Sequence, residues 1–206
     1  MTLYTVGHSN QSQEDFLQMI QLHDIDCIAD VRSVPASNYS PQFNQDALES
    51  FLRYHDVCYF FLGNELGARR IDALNEQGQV DFEQATHTPL FKHGVEHIQT
   101  LLQKHTVSLM CSEANPLECH RFALVARYFH EQGVCVQHIL KDGTLINHSL
   151  LEKKMVRQYL KGRKPQLAEV DELFGTYTPE DQLHDAYRLK NKEIGYMQKQ
   201  TETYYD

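Results

Sequence analysis

No apolar run in this chain approaches the roughly 18 residues that a membrane-spanning helix needs. The mean hydropathy is −0.52. The start, Met1-Thr2-Leu3-Tyr4-Thr5-Val6-Gly7-His8, has neither the basic segment nor the apolar segment of a secretory signal. The five cysteines are an odd number with no framework spacing, so disulfides are not expected. These absences exclude membrane-spanning, secreted and collagen-like classes, and the expected setting is a cytoplasm with reduced thiols. Basic residues are also scarce, 19 Lys and Arg against 28 Asp and Glu, for a net charge of −9. Residues 1–146 carry 9 basic and 18 acidic side chains, whereas residues 147–206 carry 10 of each. An acidic body is a poor footprint for nucleic acid, whose phosphates are held by Lys and Arg. The stretch 152–164 has six basic residues and one acidic, which a solvated helix face explains better than a binding surface.

What is present is a regular alternation of strand and helix. Strands are expected at 3–6, 25–31, 57–62, 106–111 and 134–140, from short β-branched and aromatic runs that end in glycine, proline or polar residues. Helices are expected after the cap Ser12, across Leu48, Phe51, Leu52 and His55, after Thr88-Pro89, and from Asn115-Pro116 to Gly133. Residues 63–88 show no sustained period and read as irregular. Residues 149–160 and 180–193 read as helices, with a tether at 161–179. The pattern predicts an α/β fold: a doubly wound, mostly parallel five-stranded sheet with helices on both faces, plus a mostly helical C-terminal tail. The expected division is an α/β domain over 1–146 and a helical extension over 147–206.

In an open parallel sheet, ligands bind outside the carboxyl ends of the strands. The expected strand exits are Gly7-His8-Ser9, Asp30 with Arg32-Ser33, Gly63-Asn64-Glu65 and Cys111-Ser112-Glu113. The richest segment runs from Cys111 to Arg121. A helix start favours negative charge, and Arg121 would lower the pKa of Cys119 further. Three readings compete for it: Cys119 as a nucleophile, Cys111, Cys119, His120 and His8 as soft metal donors in a spacing that fits no structural zinc pattern, or cysteines as small buried apolar residues. On a regular helix Cys119 and Arg121 flank the apolar face and His120 points nearly opposite. Cys119 is accordingly expected to be the most reactive thiol. His138 reads as core, and Arg32 and Arg121 are expected to converge near His8.

These motifs together resemble an uncharacterised family described as domain of unknown function 488. The residues that carry the resemblance are Thr5-Val6-Gly7-His8-Ser9, Asp30-Val31-Arg32-Ser33-Val34-Pro35-Ala36-Ser37, Leu62-Gly63, Leu109-Met110-Cys111-Ser112-Glu113, Cys119-His120-Arg121 and Val136-Gln137-His138-Ile139. They span roughly residues 1–146. The resemblance implies a compact α/β fold with a pocket and implies no reaction. The leading expectation is an enzyme for a small anionic or nucleotide-like substrate. Its catalytic candidates are His8, Cys111, Glu113 and Cys119; its binding candidates are Ser9, Arg32, Ser33, His120 and Arg121. No cofactor is required by the sequence, although the donor set is of the kind that holds a divalent metal. The rival expectation is a nucleic-acid- or protein-binding module built on 152–164, or a metal-binding protein.

Overall fold

The computed structural model describes residues 1–160 and 177–198. Five parallel strands form the sheet: β1 (Thr2–Gly7), β2 (Cys27–Asp30), β3 (Cys58–Phe61), β4 (Val107–Cys111) and β5 (Cys135–Ile139). A sixth, β6 (Leu145–Asn147), pairs antiparallel with β5. The order is β3-β2-β4-β1-β5-β6. The expected five-stranded sheet is therefore one strand short. The Asp142-Gly143 turn, with Gly143 at φ +79°, opens a hairpin whose return strand is too short to show a period.

Alternation along each strand sorts the side chains onto two faces. One face carries Val6, Ile28, Met110 and Ile139 and packs on α1 (Gln13–Gln21) and α2 (Gln45–Tyr54). The other carries Leu3, Ala29, Leu109 and Val136 and packs on α5 (Pro89–Leu102) and on the helical run 121–131. Ser12 caps α1 by accepting from Asp15 N–H, and Thr88 caps α5 by accepting from Phe91 N–H, as their sequence contexts predict.

The excursion at 63–88 is not irregular throughout. It holds α3 (Gly63–Leu66) and α4 (Phe82–His87), each too short for a 3.6-residue period to emerge. The helix expected from Asn115 is broken. A 3₁₀ turn covers Pro116–Glu118, Cys119 is extended (φ −130°, ψ 140°), and a π-helical turn over Arg121–Ala126 leads into α6 (Arg127–Glu131).

Two helices follow the sheet, α7 (His148–Leu160) and α8 (Pro179–Ile194). Their Leu151, Met155, Ala186 and Tyr187 are buried in the same apolar cluster as the sheet. The boundary expected at 146/147 falls within β6. Most of the expected tether lies outside the described residues. Among the described residues no helix is long and apolar enough to cross a membrane.

The connections set the place of a ligand. The link out of β2 leads outward to β3, while the link out of β4 leads the other way, to β5. Adjacent strands whose exits diverge open a crevice at their carboxyl ends, and here those strands are β2 and β4.

Candidate functional site

Two side-chain clusters sit at this divergence. The first is built on β2. Asp30, fully buried, takes a forked ion pair from Arg32, with Nε to Oδ1 at 2.9 Å and Nη2 to Oδ2 at 2.6 Å. Tyr59 O–H donates to the same carboxylate at 2.7 Å. Arg32 Nη1 donates to His8 Nε2 at 3.1 Å, and His8 Nδ1–H donates to Ser9 O at 2.6 Å. His8 stacks on Phe43 with ring centroids 4.2 Å apart. Burial, and then the Arg32 charge, pull its pKa down to about 4. The ring is thus a neutral imidazole with both nitrogens engaged, and the Arg32 guanidinium already has its anion. Ser33 turns elsewhere, its Oγ accepting from Arg69 N–H at 2.9 Å.

The second cluster joins the end of β4 to the start of the helical run. Cys111 Sγ and Cys119 Sγ each lie 3.8 Å from His120 Nδ1. His120 Nε2–H donates to the Val31 carbonyl at 2.9 Å, which assigns the proton to Nε2 and turns Nδ1 toward both sulfurs. His120 therefore points inward, against the regular-helix expectation. The 100° spacing counted back from Phe122 fails because the chain is extended at Cys119 and π-helical beyond it.

Cys119 O accepts from Phe122 N–H, and its Sγ accepts from Arg121 N–H at 3.4 Å, so the thiol caps the helical run. Burial works to raise the Cys119 pKa, but the hydrogen bond from Cys111 and the charges of Arg121 and His120 hold it well below the ordinary thiol value. Cys111 moves the opposite way, raised by its hydrogen bond to Cys119 and by burial. Burial depresses the His120 pKa, yet the Cys119 charge outweighs it and the net shift is upward. Glu113 is raised by desolvation and by Cys119.

Arg121 is fully buried, and among the described residues its guanidinium bonds only to backbone carbonyls, Glu113 O at 2.6 Å and Ala114 O at 3.3 Å, while its Nε has no partner. No carboxylate pairs with it among the described residues. Among the described residues no Glu113 carboxylate bridges Arg32 and Arg121; Glu113 offers Arg121 its carbonyl instead. Both guanidiniums nevertheless act on His8.

The two clusters touch through the backbone. His8 N–H donates to Cys111 O at 3.0 Å, Ser9 N–H to Ser112 O at 2.9 Å, and Val31 N–H to Met110 O at 3.0 Å. His8, Arg32, Cys111, Glu113, Cys119, His120 and Arg121 are thus brought together, Ser9 lies at the rim, and Ser33 stands apart. A 390 Å³ cavity between α4 and α8 is lined by none of them. Both site thiols are buried, Cys119 to 1% exposure and Cys111 to 4%. Exposure reverses the order of thiol reactivity expected from Arg121 alone. In the folded chain the exposed Cys135 is alkylated first, the half-buried Cys58 next, and Cys119 only on unfolding. Mass-spectrometric mapping of a limiting alkylation checks this, and early label on Cys119 overturns it.

The residues missed in the sequence form a buried polar chain on the sheet face that carries Cys111. Thr5 O–H donates to His138 Nδ1 (2.8 Å), His138 Nε2–H to His148 Nδ1 (2.9 Å), His148 Nε2–H to Tyr187 (2.9 Å), and Tyr187 O–H to Glu152 (2.9 Å). His138 is core, as expected, but hydrogen-bonded core. Of the basic stretch, Lys153, Lys154 and Arg157 are exposed on α7 and residues 161–164 lie outside the described residues.

Fold and clusters define a doubly wound α/β protein whose strand-exit centre is made of thiols, imidazoles and buried guanidiniums. The chain belongs to the family described as Domain of unknown function DUF488, whose model matches residues 12–128. That span contains Arg32, Cys111, Glu113, Cys119, His120 and Arg121 and leaves out His8 and Ser9. Searches of curated proteins and of solved structures gave no match.

Proposed function

We propose that the protein is an enzyme acting on a small anionic or nucleotide-like substrate at the carboxyl edge of β2 and β4. The observation that carries this reading is Arg121. A fully buried guanidinium without a carboxylate is costly, so the surroundings must supply negative charge. The Cys119 thiolate supplies one charge, and the free Nε marks where a substrate anion adds another. Ser112 and Glu113, which follow Cys111 in the chain, are exposed, and the reading takes them as the side of entry. In this reading Ser9, Arg32 and Arg121 hold the substrate, and Cys111, Cys119 and His120 carry the electron-rich centre. Glu113 moves the proton, its raised pKa suiting it to both states. His8 joins only once a substrate oxygen takes its place on Arg32.

The test is a panel of phosphate esters, nucleotides and small carboxylates, followed by turnover and by amide shifts in the nuclear magnetic resonance spectrum. Shifts are expected at Ser9, Ser112 to Ala114 and His120 to Phe122. Glu113→Gln should lower turnover about 100-fold. Glu118→Gln, which keeps the acceptor used by Asn115, should leave it unchanged. Shifts clustered on the α7 face, or undiminished turnover in Glu113→Gln, would overturn the reading.

A further inference from the structure

The second cluster has a geometry that neither packing nor attack on a substrate requires. Its three donor atoms, two sulfurs and one ring nitrogen, all lie within 4.8 Å of one another, and both sulfurs are 3.8 Å from the same nitrogen. A tetrahedral ion with sulfur at about 2.3 Å and nitrogen at about 2.0 Å spaces such donors by roughly 3.5 to 3.8 Å. Both sulfur–nitrogen distances therefore stand within a few tenths of an ångström of a coordination shell, with the two sulfurs within 4.8 Å of each other. Three outer contacts hold them there. The Val31 carbonyl fixes the imidazole with Nδ1 toward the sulfurs, as metal-bound imidazoles are held by a hydrogen bond on their other nitrogen. Arg121 N–H donates to Cys119 Sγ, a bond that supports a thiolate. Parallel pairing places Cys111 opposite Gly7 at the end of β4. Both thiols are almost wholly buried, as inward-facing protein donors of an ion would be.

We propose that Cys111, Cys119 and His120 bind a zinc-class divalent ion, with three protein donors and a fourth position left to water or to the anionic substrate. Two thiolates and an imidazole are soft and borderline donors that suit zinc and disfavour magnesium and calcium, which take oxygen. Three protein ligands with one open position is the pattern of catalytic rather than structural zinc. The charges balance. Two thiolates match the dication, and the imidazole binds as a neutral ring through Nδ1 while Nε2–H stays on the Val31 carbonyl. This inference rests on the reading of the β2–β4 edge as a substrate site. It deepens that reading by naming what meets the substrate: the electron pairs of the sulfurs go to the ion, and the ion polarises the substrate's oxygen.

The experiment uses the full chain, reduced and folded, titrated with cobalt(II) alone. One equivalent should produce thiolate-to-cobalt charge-transfer bands in the near ultraviolet and intense tetrahedral bands in the visible, and zinc should abolish both. Elemental analysis of protein expressed with zinc should find one ion per chain. Cys111→Ser and Cys119→Ser should each weaken binding by more than about 100-fold, since even outer-sphere partners are worth about 10- to 100-fold. Cys58→Ser and Cys135→Ser should bind as the parent does. Folded, reduced protein that shows no charge-transfer band overturns the site, as does equal binding by the Cys111/Cys119 double variant. The parent spectrum needs no variant to fold. The substrate reading fails separately: bands without a Glu113→Gln effect remove that reading and keep the metal, and the reverse removes the metal alone.

Discussion

Gly7→Ala should destabilise the protein by at least about 3 kcal/mol, a cost at the upper end of overpacking. Gly7 ends β1 opposite Cys111, and its backbone needs no left-handed conformation. The constraint is space. A methyl group there would overlap the Glu113 carbonyl oxygen far inside any non-bonded contact and press on Ala114 Cα at 3.1 Å. The obstructing atoms are backbone, so no side-chain rotation relieves them. The same Glu113 carbonyl is the acceptor for Arg121 Nη1, so moving it also loosens a buried guanidinium. Gly133→Ala is the contrast: its φ is +81° with open space around it, and the left-handed strain should cost only about 1–2 kcal/mol. Urea denaturation of the two variants separates the mechanisms. Equal losses would mean that the β1–Glu113 approach gives way, and the tight joint between the two clusters would not exist.

Much of this architecture was legible because local chemistry and global fold agree. Ser12 and Thr88-Pro89 mark helix starts by groups that cap them in the structure. The strand exits were legible by topology alone, and with them Cys111 and Arg32. What was not legible came from three physical sources. Short elements such as α3, α4 and β6 contain too few residues to express a period. At Cys119 the chain leaves helical geometry, so an angle count over 119–121 placed His120 outside when it points in. Finally, the buried polar chain joins residues 133, 10, 39 and 35 positions apart, and nothing in the separate segments announces those contacts. The pair Asp30 and Arg32 shows the intermediate case. The sequence favours Arg32 as an anion holder, whereas the fork and the Tyr59 bond show Arg32 and Asp30 committed to each other.

That polar chain should make the fold acid-labile well above the pH at which carboxylates protonate. Burial drives the His138 pKa well below 6.5, and the His148 charge lowers it further. Burial first, and then His130 and Arg127, bring His148 to about 3. The hydrogen bonds require both rings neutral: His138 Nε2–H points at the His148 Nδ1 lone pair, and a proton there would set two donors face to face. In the unfolded chain both rings take up protons near 6.5. The unfolded state therefore binds more protons below that pH, and stability falls as pH falls from about 6.5 toward 3. Each ring contributes a slope of up to about 1.4 kcal/mol per pH unit. Between pH 7 and 5 the two together should remove about 3–4 kcal/mol. Glu152 opposes them, since desolvation raises its pKa and acid relieves that cost. The contribution of the rings is isolated by a variant. His148→Asn keeps a polar side chain beside Tyr187 and has nothing to titrate, so its stability against pH should be flatter than the parent's by about 1.4 kcal/mol per unit between pH 5 and 6. Parallel curves for parent and variant would show that His148 is charged in the folded state, and the directed chain from Thr5 to Glu152 would then be wrong.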